Sequence, residues 1–513
     1  MARKLQRVGA LWKFVAVFGT VLAIGLLVSR PSDGNLWFSD DLWHIRSYSG
    51  SELASTWTGS WDPTGVGIAG YRPLETLTAH LRAEVLGEES PKKNRYLNVA
   101  VAALALTVLA GALWYLGVPL WIGLAAAAIE FTTRNFAYIY AWTSAGYHAF
   151  QMLSFGLALL ALGATLGRET YRRTLLAASA FMWAVTLLLK DQGLFLLPVL
   201  LAVAFVGQAP RRYSSSHSDG ALSYARLWNV LRAEAKAQWT HADIRVYSLA
   251  LVALSAADVL ARFVFVGPVG TDGHSAFSEF VSQVGHVLAL AGSGPSATPI
   301  YWALAAGVLL LVLFAPALAP RRSAGDLATP WMLALLAGFG LVASVGFAWA
   351  RSSAYLVSFP LYFYALLLCA TAVLVVRMLA HRRGSLRTAV LGITVLAAGS
   401  LVASIQQAAD LQRAMSPWSI ETLKSEYDFT YGPLADRAKI PPARQEPVNA
   451  HLREVGLTGP RQAEPDDSLP YLYCRAKHDP RIEIPEVPVL VGGRDLFANL
   501  DFVCPYVYPP PAE

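Results

Sequence analysis

Charge is what this 513-residue sequence has least of. Charged side chains make up 15% of it, against about 25% in an ordinary soluble chain. That deficit excludes a soluble globular protein. Cysteine is scarce as well: the three residues Cys369, Cys474 and Cys504 allow at most one disulfide. Internal repeats are missing, which counts against a transporter assembled from duplicated halves. Present in quantity are hydrophobic residues, 55% of the chain, and the mean hydropathy is +0.42. Apolar runs recur near the roughly 20 residues that a helix needs to cross a bilayer. The net charge of +6 therefore does not point to nucleic acid, because Lys and Arg of a membrane protein collect in its cytoplasmic loops.

The spacing of these runs predicts an all-α polytopic membrane protein with about eleven spans. They fall near 10–29, 97–116, 119–138, 145–166, 174–189, 193–207, 246–265, 301–319, 330–349, 355–376 and 388–406. The first follows the basic "MARKLQR" and ends in "VSRPSD". Its apolar core is longer than that of a cleaved signal peptide, so it reads as an uncleaved anchor with a cytoplasmic N-terminus. Threading from there places "GRETYRR", the 208–245 loop with Arg211, Arg212, Arg226 and Arg232, "PRRSAGD" and "RMLAHRRGSLR" inside. All four are basic, as the positive-inside rule requires.

The 30–96 loop, the 266–300 connection and everything beyond 407 then lie outside. Within 266–300, "SAFSEFVSQVGHVLALAGSG" has the spacing of an interfacial or re-entrant helix. The chain thus divides into a transmembrane domain, 1–406, and a polar, proline-rich extracytoplasmic tail, 407–513, expected to form a small mixed α/β domain. Cys474 and Cys504 both fall in that tail, in an oxidising compartment. They are either disulfide-linked or two separate thiols. Cys369 reads as a small core residue of its span.

Charged residues near spans cost roughly 2.5–3.5 kcal/mol each on insertion scales and need a partner or a task. Almost all of Glu130, Arg134, Lys190, Asp191, Asp258, Arg262 and Arg351 fall toward the outer ends of their spans. There they join Asp40, Asp41 and Arg72 of the first loop. Two readings are open. Asp258 with Arg262, and Glu130 with Arg134, stand i, i+4 on a helix and could be structural ion pairs. Alternatively the cations gather to receive a phosphate at the outer membrane surface. Lys190 and Asp191 are neighbours in sequence and cannot pair across one helical face. Trp37, Trp43, Trp57, Trp61 and Tyr71 suit membrane-interface anchoring, and also stacking on a sugar.

Four stretches in order resemble the membrane glycosyltransferases of the GT-C fold. "FSDDLWHI" places an acidic pair after the first span. "YRPLETLTAHLRAEVLG", with Asn98 beyond it, is similar to a stretch of bacterial GT-C relatives and of the tetratricopeptide-bearing O-mannosyltransferases. "LLLKDQGLFLLPVLL" carries Lys190, Asp191 and Pro198, with Asp where that family usually has Glu. "ARSSAYLVSFPLYFYALLL" carries Arg351, Tyr355 and Ser358, without the family's proline before the serine. The four cover roughly the first 376 residues, and no tetratricopeptide repeat follows.

The resemblance implies a polyprenyl-phosphate sugar as donor and a glycolipid, polysaccharide or protein as acceptor. It implies transfer by a single inverting displacement in the inner membrane of a bacterium. Asp41 or Asp40 would be the catalytic base. Arg72, Lys190, Asp191, Arg262, Arg351 and Tyr355 would bind substrate or phosphate. Asp40 could instead cap a short helix beginning "DLWHI". His44, four residues after Asp40 and three after Asp41, could share a divalent metal with them or take no part; no cofactor is otherwise implied. A transporter or flippase for a lipid-linked or anionic substrate, and a non-catalytic membrane scaffold, are the competing readings.

Overall fold

A computed structural model describes residues 2–30, 47–61, 70–87, 91–142, 144–166, 171–209, 212–213, 222–266, 298–319, 324–344, 358–380, 405–412, 490–491 and 494–495. These residues form a bundle of helices. Seven helices in it are long and apolar enough to cross a membrane, with windows at Trp12–Ser29, Lys92–Tyr115, Ser144–Thr165, Arg172–Leu189, Ala242–Phe265, Asp326–Ser344 and Phe359–Met378. Three shorter apolar helices, Leu120–Phe131, Gly193–Val206 and Ala306–Leu318, accompany them. The chain is a multi-pass membrane protein. Seven of the eleven expected spans thus coincide with helices long enough to cross, those at 119–138, 193–207 and 301–319 meet only the shorter apolar helices, and most of the eleventh, 388–406, lies outside the described residues.

Helix α1 is Ala2–Ser29. After the short α2 (Gly50–Ser55), closed by a capping box between Ser49 and Glu52, the chain enters α3 (Pro73–Leu86). Pro73 stands in its first turn, where a missing N–H costs nothing, and it ends at Gly87. Next come α4 (Pro91–Tyr115) and α5 (Leu120–Phe131). Between these two, Gly117 takes φ 95°, open mainly to glycine, and Val118 N–H returns to the Leu113 carbonyl at 3.0 Å. That cap reverses the chain within a few residues. Ala102, Ala105 and Ala112 of α4 and Ala126 and Ala127 of α5 are buried. Such small side chains let helix backbones approach closely where hydrocarbon offers no hydrophobic drive.

The expected span 119–138 is broken. Helix α5 stops at Phe131, and Thr133 caps a separate α6 (Arg134–Ala141) by accepting from Phe136 N–H at 3.3 Å. Two consecutive threonines, whose hydroxyls bond back to the Ile129 and Glu130 carbonyls, compete with the helical ladder there. Glu130 and Arg134 therefore do not share a helix, and the i, i+4 pair expected between them does not form.

The remaining long helices are α7 (Tyr147–Thr165), α8 (Arg172–Leu189), α9 (Leu197–Val206), α10 (Tyr224–Thr240), α11 (Ala242–Phe265), α12 (Thr298–Leu318), α13 (Ala324–Ser344) and α14 (Ser358–Ala380). Helix α4 packs on α1, α5 and α7; α7 on α8; and α13 on α14. A helical segment at 405–412 returns to the end of α1, where buried Gln412 donates to the Val28 carbonyl at 2.8 Å. Of the expected α/β tail, only a two-residue antiparallel pair is described: β1 (Leu490–Val491) against β2 (Arg494–Asp495), with Leu490 opposite Asp495. Cys474 and Cys504 lie outside the described residues. Cys369 is a partly buried thiol packed against the core.

Candidate functional site

The cations flagged by sequence converge at one end of the bundle. The segment Gly70–Arg72 leads into α3 and is pinned from several sides. Trp61 N–H donates to Gly70 O at 2.8 Å, the Tyr71 hydroxyl donates to Trp57 O at 3.3 Å, and Thr76 donates to Trp61 O. This holds Arg72 as the N-cap of α3 with 5% of its surface exposed. Its guanidinium lies 3.4 Å from the Glu75 carboxylate and 5.9 Å from the centre of the Trp61 ring. The ring of Tyr71 lies 5.7 Å from Phe265, at the end of α11. Burial raises the Tyr71 pKa, the negative charge of Asp258 raises it further, and Arg262 opposes both. Tyr71 and Asp258 line one cavity, which sets the α11 charges beside this loop.

Helix α8 stops at Lys190, whose backbone turns extended at φ −162°. A 3-10 helix (Asp191–Leu196) then feeds α9. A polar line along α7 holds this break open. Gln151 donates to the carbonyls of Lys190 at 2.7 Å and Thr186 at 3.2 Å, while the Ser154 and Thr186 hydroxyls meet at 2.9 Å. The Thr186 carbonyl also accepts from Lys190 N–H at 3.4 Å and the Lys190 carbonyl from Gly193 N–H at 3.1 Å, so buried Gln151 gives each a second donor where the helix ends. Lys190, 3% exposed, donates to the Tyr147 hydroxyl at 2.7 Å. His148 is buried, and its ring centre is 4.3 Å from that of Tyr147.

Arg262 makes the expected pair with Asp258, Nε to Oδ2 at 2.8 Å, and reaches across to the Leu187 carbonyl of α8 at 3.4 Å. A cavity of about 220 Å³ opens between α8 and α11 beside these groups, lined by Tyr71, Ala184, Leu187, Leu254, Asp258 and Ala261.

The structure therefore brings Arg72, Lys190 and Arg262 to one place. Asp40, Asp41, His44, Arg351 and Tyr355 lie outside the described residues, and of Asp191 only the backbone, opening the 3-10 helix, is described. Glu130 is fully buried and its carboxylate oxygens have no hydrogen-bond partner among the described residues. Among those residues no group of three His, Cys, Asp or Glu is placed to hold a metal.

Tyr147, His148 and Gln151 were missed by the sequence reading. Their signal was a polar line at helical spacing, His148, Gln151 and Ser154, inside a run otherwise apolar enough to span a membrane. The buttress behind them was visible only as one residue of a motif. Asn98 donates to the Ile139 carbonyl at 3.1 Å, and Gly146 packs so tightly on its side chain that a Cβ would collide with it. The turn that launches Tyr147 and His148 rests on this contact.

No protein-family model and no curated protein matches the sequence. Solved structures similar to it are of an archaeal oligosaccharyltransferase from Archaeoglobus fulgidus, a GT-C fold glycosyltransferase. AglB in complex with an inhibitory peptide and a dolichol-phosphate is 14% identical with a TM-score of 0.39, over 87% of this chain and 60% of that one. The complex with Zn and sulfate is 15% identical with a TM-score of 0.36, over 80% and 55%. The form tethered to an acceptor peptide is 14% identical with a TM-score of 0.38, over 88% and 60%. The chain thus spans at most 60% of the length of these structures.

Proposed function

We propose that the chain is a membrane glycosyltransferase that moves a sugar from a polyprenyl phosphate to an acceptor outside the cytoplasm. The observation that carries this reading is the convergence of Arg72, Lys190 and Arg262 at one end of an otherwise apolar bundle, among Trp61, Tyr71, Tyr147 and His148. Burying cations in such a bundle is costly. A phosphate monoester or diester on a lipid is the ligand that would use them, and planar guanidinium groups match its oxygens.

The apolar cavity beside Asp258 and Tyr71, walled by α8 and α11, offers the first stretch of a prenyl chain a route to the cations from the bilayer. Tyr71 and Trp61 would face the sugar. Arg351 and Tyr355 are assigned to the same phosphate on the strength of the sequence resemblance, and Asp191 to the edge of its site.

The chemistry needs one proton acceptor. The acceptor hydroxyl attacks the anomeric carbon, its proton passes to the carboxylate of Asp41, and the bond from that carbon to the phosphate oxygen breaks. Polyprenyl phosphate leaves with the bonding pair, and Arg72, Lys190 and Arg262 stabilise the charge on it. Attack opposite the leaving group inverts the anomeric centre. Asp40 supports or caps beside Asp41. The orientation follows the loop charges: site end outside, 208–245 inside.

The test is sugar transfer in proteoliposomes from a polyprenyl-phosphate hexose or pentose series. Asp41→Asn keeps shape and hydrogen bonding but removes the base, and should lower turnover by about two to four powers of ten. Apparent donor affinity should hold. If Asp41→Asn and Asp40→Asn both transfer normally, or if the wild type moves the lipid across the bilayer without forming product, the reading fails.

A further inference from the structure

The opposite end of the bundle carries a second feature, independent of the catalytic reading. Helix α10 divides into three faces when its residues are set 100° apart. Leu227, Glu234 and Gln238 turn to the bundle. There Glu234 lies 2.7 Å from Arg212 and accepts from Gln238 at 2.8 Å, and Arg172 of α8 donates to Gln238 at 3.5 Å.

On a second face, Tyr224, Trp228, Leu231, Ala235 and Trp239 fall within an arc of roughly 80°. Trp228 is 65% exposed and Trp239 56%. Arg232 and Lys236 follow Trp228 at four-residue steps along the border of that arc and are exposed, with Arg226 further round. An aromatic face bordered by a basic one is the pattern of a helix lying in the membrane interface.

Under this helix is a cavity of about 430 Å³, closed by Leu227, Trp228 and Leu231 above, and by Ala202 and Val206 of α9 and residues of α13 at the side. Its lining on α13 runs from Thr329 to Phe339, about 15 Å along the helix axis. It is almost wholly apolar, and on α10 its wall ends at Leu231, next in the chain to exposed Arg232 and just over one turn before Lys236.

We propose that this cavity is a binding site for an anionic phospholipid. One acyl chain lies along α13 between α9 and α10, and the headgroup phosphate is held by Arg232 and Lys236 at the rim. The acidic groups at this end do not compete, because Glu234 is paired with Arg212 and Asp243 lies 3.8 Å from Arg172. The charge of the rim selects an anionic headgroup over a zwitterionic one.

The test uses the full-length chain, purified in detergent and titrated with phosphatidylglycerol or phosphatidylcholine under native mass spectrometry. The wild type should retain phosphatidylglycerol in preference. Arg232→Gln with Lys236→Gln should cut that preference roughly 30-fold while leaving phosphatidylcholine binding unchanged. Ala202→Phe fills the cavity from α9 and should abolish the bound lipid. Leu336→Trp fills it from the facing wall of α13 and should do the same, with thermal unfolding midpoints showing that both variants are folded. Equal retention of the two lipids by the wild type, or undiminished phosphatidylglycerol in a folded filled variant, overturns the proposal.

Discussion

Asp258 and Arg262 offer a direct measurement of what the outer end of α11 costs and gains. Their side chains are 4% and 13% exposed, with Nε 2.8 Å from Oδ2. Asp258→Ala removes the carboxylate 2.8 Å from the guanidinium, and the Leu187 carbonyl at 3.4 Å, a long contact with a neutral acceptor, does not replace it. Stranding one partner of a buried pair costs about 3–5 kcal/mol. Arg262→Met strands the carboxylate instead. A carboxyl group can shed its charge by taking a proton, whereas arginine keeps its own at any usable pH. The Met variant should therefore lose less, about 1–3 kcal/mol, the penalty of a buried polar group without a good partner.

The double variant removes both charges and should fall within about 1–2 kcal/mol of wild type, because well-packed apolar residues replace buried ion pairs at little net cost. The four proteins form a double-mutant cycle, read by reversible unfolding in mixed micelles at fixed detergent. A coupling energy below ~0.5 kcal/mol, or a double variant as unstable as the sum of the singles, would refute the pairing and the burial that motivates it.

Three further outcomes are expected. Gly146→Ala should cost about 1–3 kcal/mol by overpacking against Asn98, and Asn98→Ala in the same chain should recover part of it; a neutral Gly146→Ala in thermal unfolding would sink the buttress argument. Lys190→Met should raise the KM for a polyprenyl-phosphate sugar at least ~10-fold, since a charge-assisted hydrogen bond contributes about 1.5–3 kcal/mol, with abundance in the membrane little changed; an unaltered KM would remove Lys190 from the phosphate site. A cysteine at Ser215 should resist an impermeant thiol reagent added outside, while Cys474 and Cys504 should show no free thiol without reductant; the reverse pattern would invert the topology.

Much of the architecture could be read from apolar run lengths because a bilayer fixes how long a helix must be. The runs at 97–116, 145–166 and 174–189 meet α4, α7 and α8 within a few residues, except that α4 starts earlier at Pro91. The run at 119–138 misled because hydropathy averages over Thr132 and Thr133, whose hydroxyls end α5 by local hydrogen bonding. The Glu130–Arg134 pairing fell with it.

The gathering of Arg72, Lys190 and Arg262 was legible from sidedness alone, since charges that oppose the positive-inside bias all lay at one end of their spans. Tyr147 and His148 were not, because their role depends on Lys190 folding back from the broken end of α8, a tertiary contact between residues 43 apart in sequence. No local pattern encodes it. Asn98 stood between: its place in a motif marked it, but its work, bracing the turn before α7, appears only once Gly146 is seen against it.

The bond from Gln412 to the Val28 carbonyl joins residues 384 positions apart. Val28 lies in the last turn of α1, where carbonyls have no donor within their own helix. Gln412 emerges from the ribosome only after every other described helix, so during synthesis the end of α1 waits for its partner while those helices assemble. A ribosome stalled before residue 405 would release a bundle open at the same end as Arg72 and Lys190. Quality control that senses exposed polar backbone within a membrane would find the unfinished chain there.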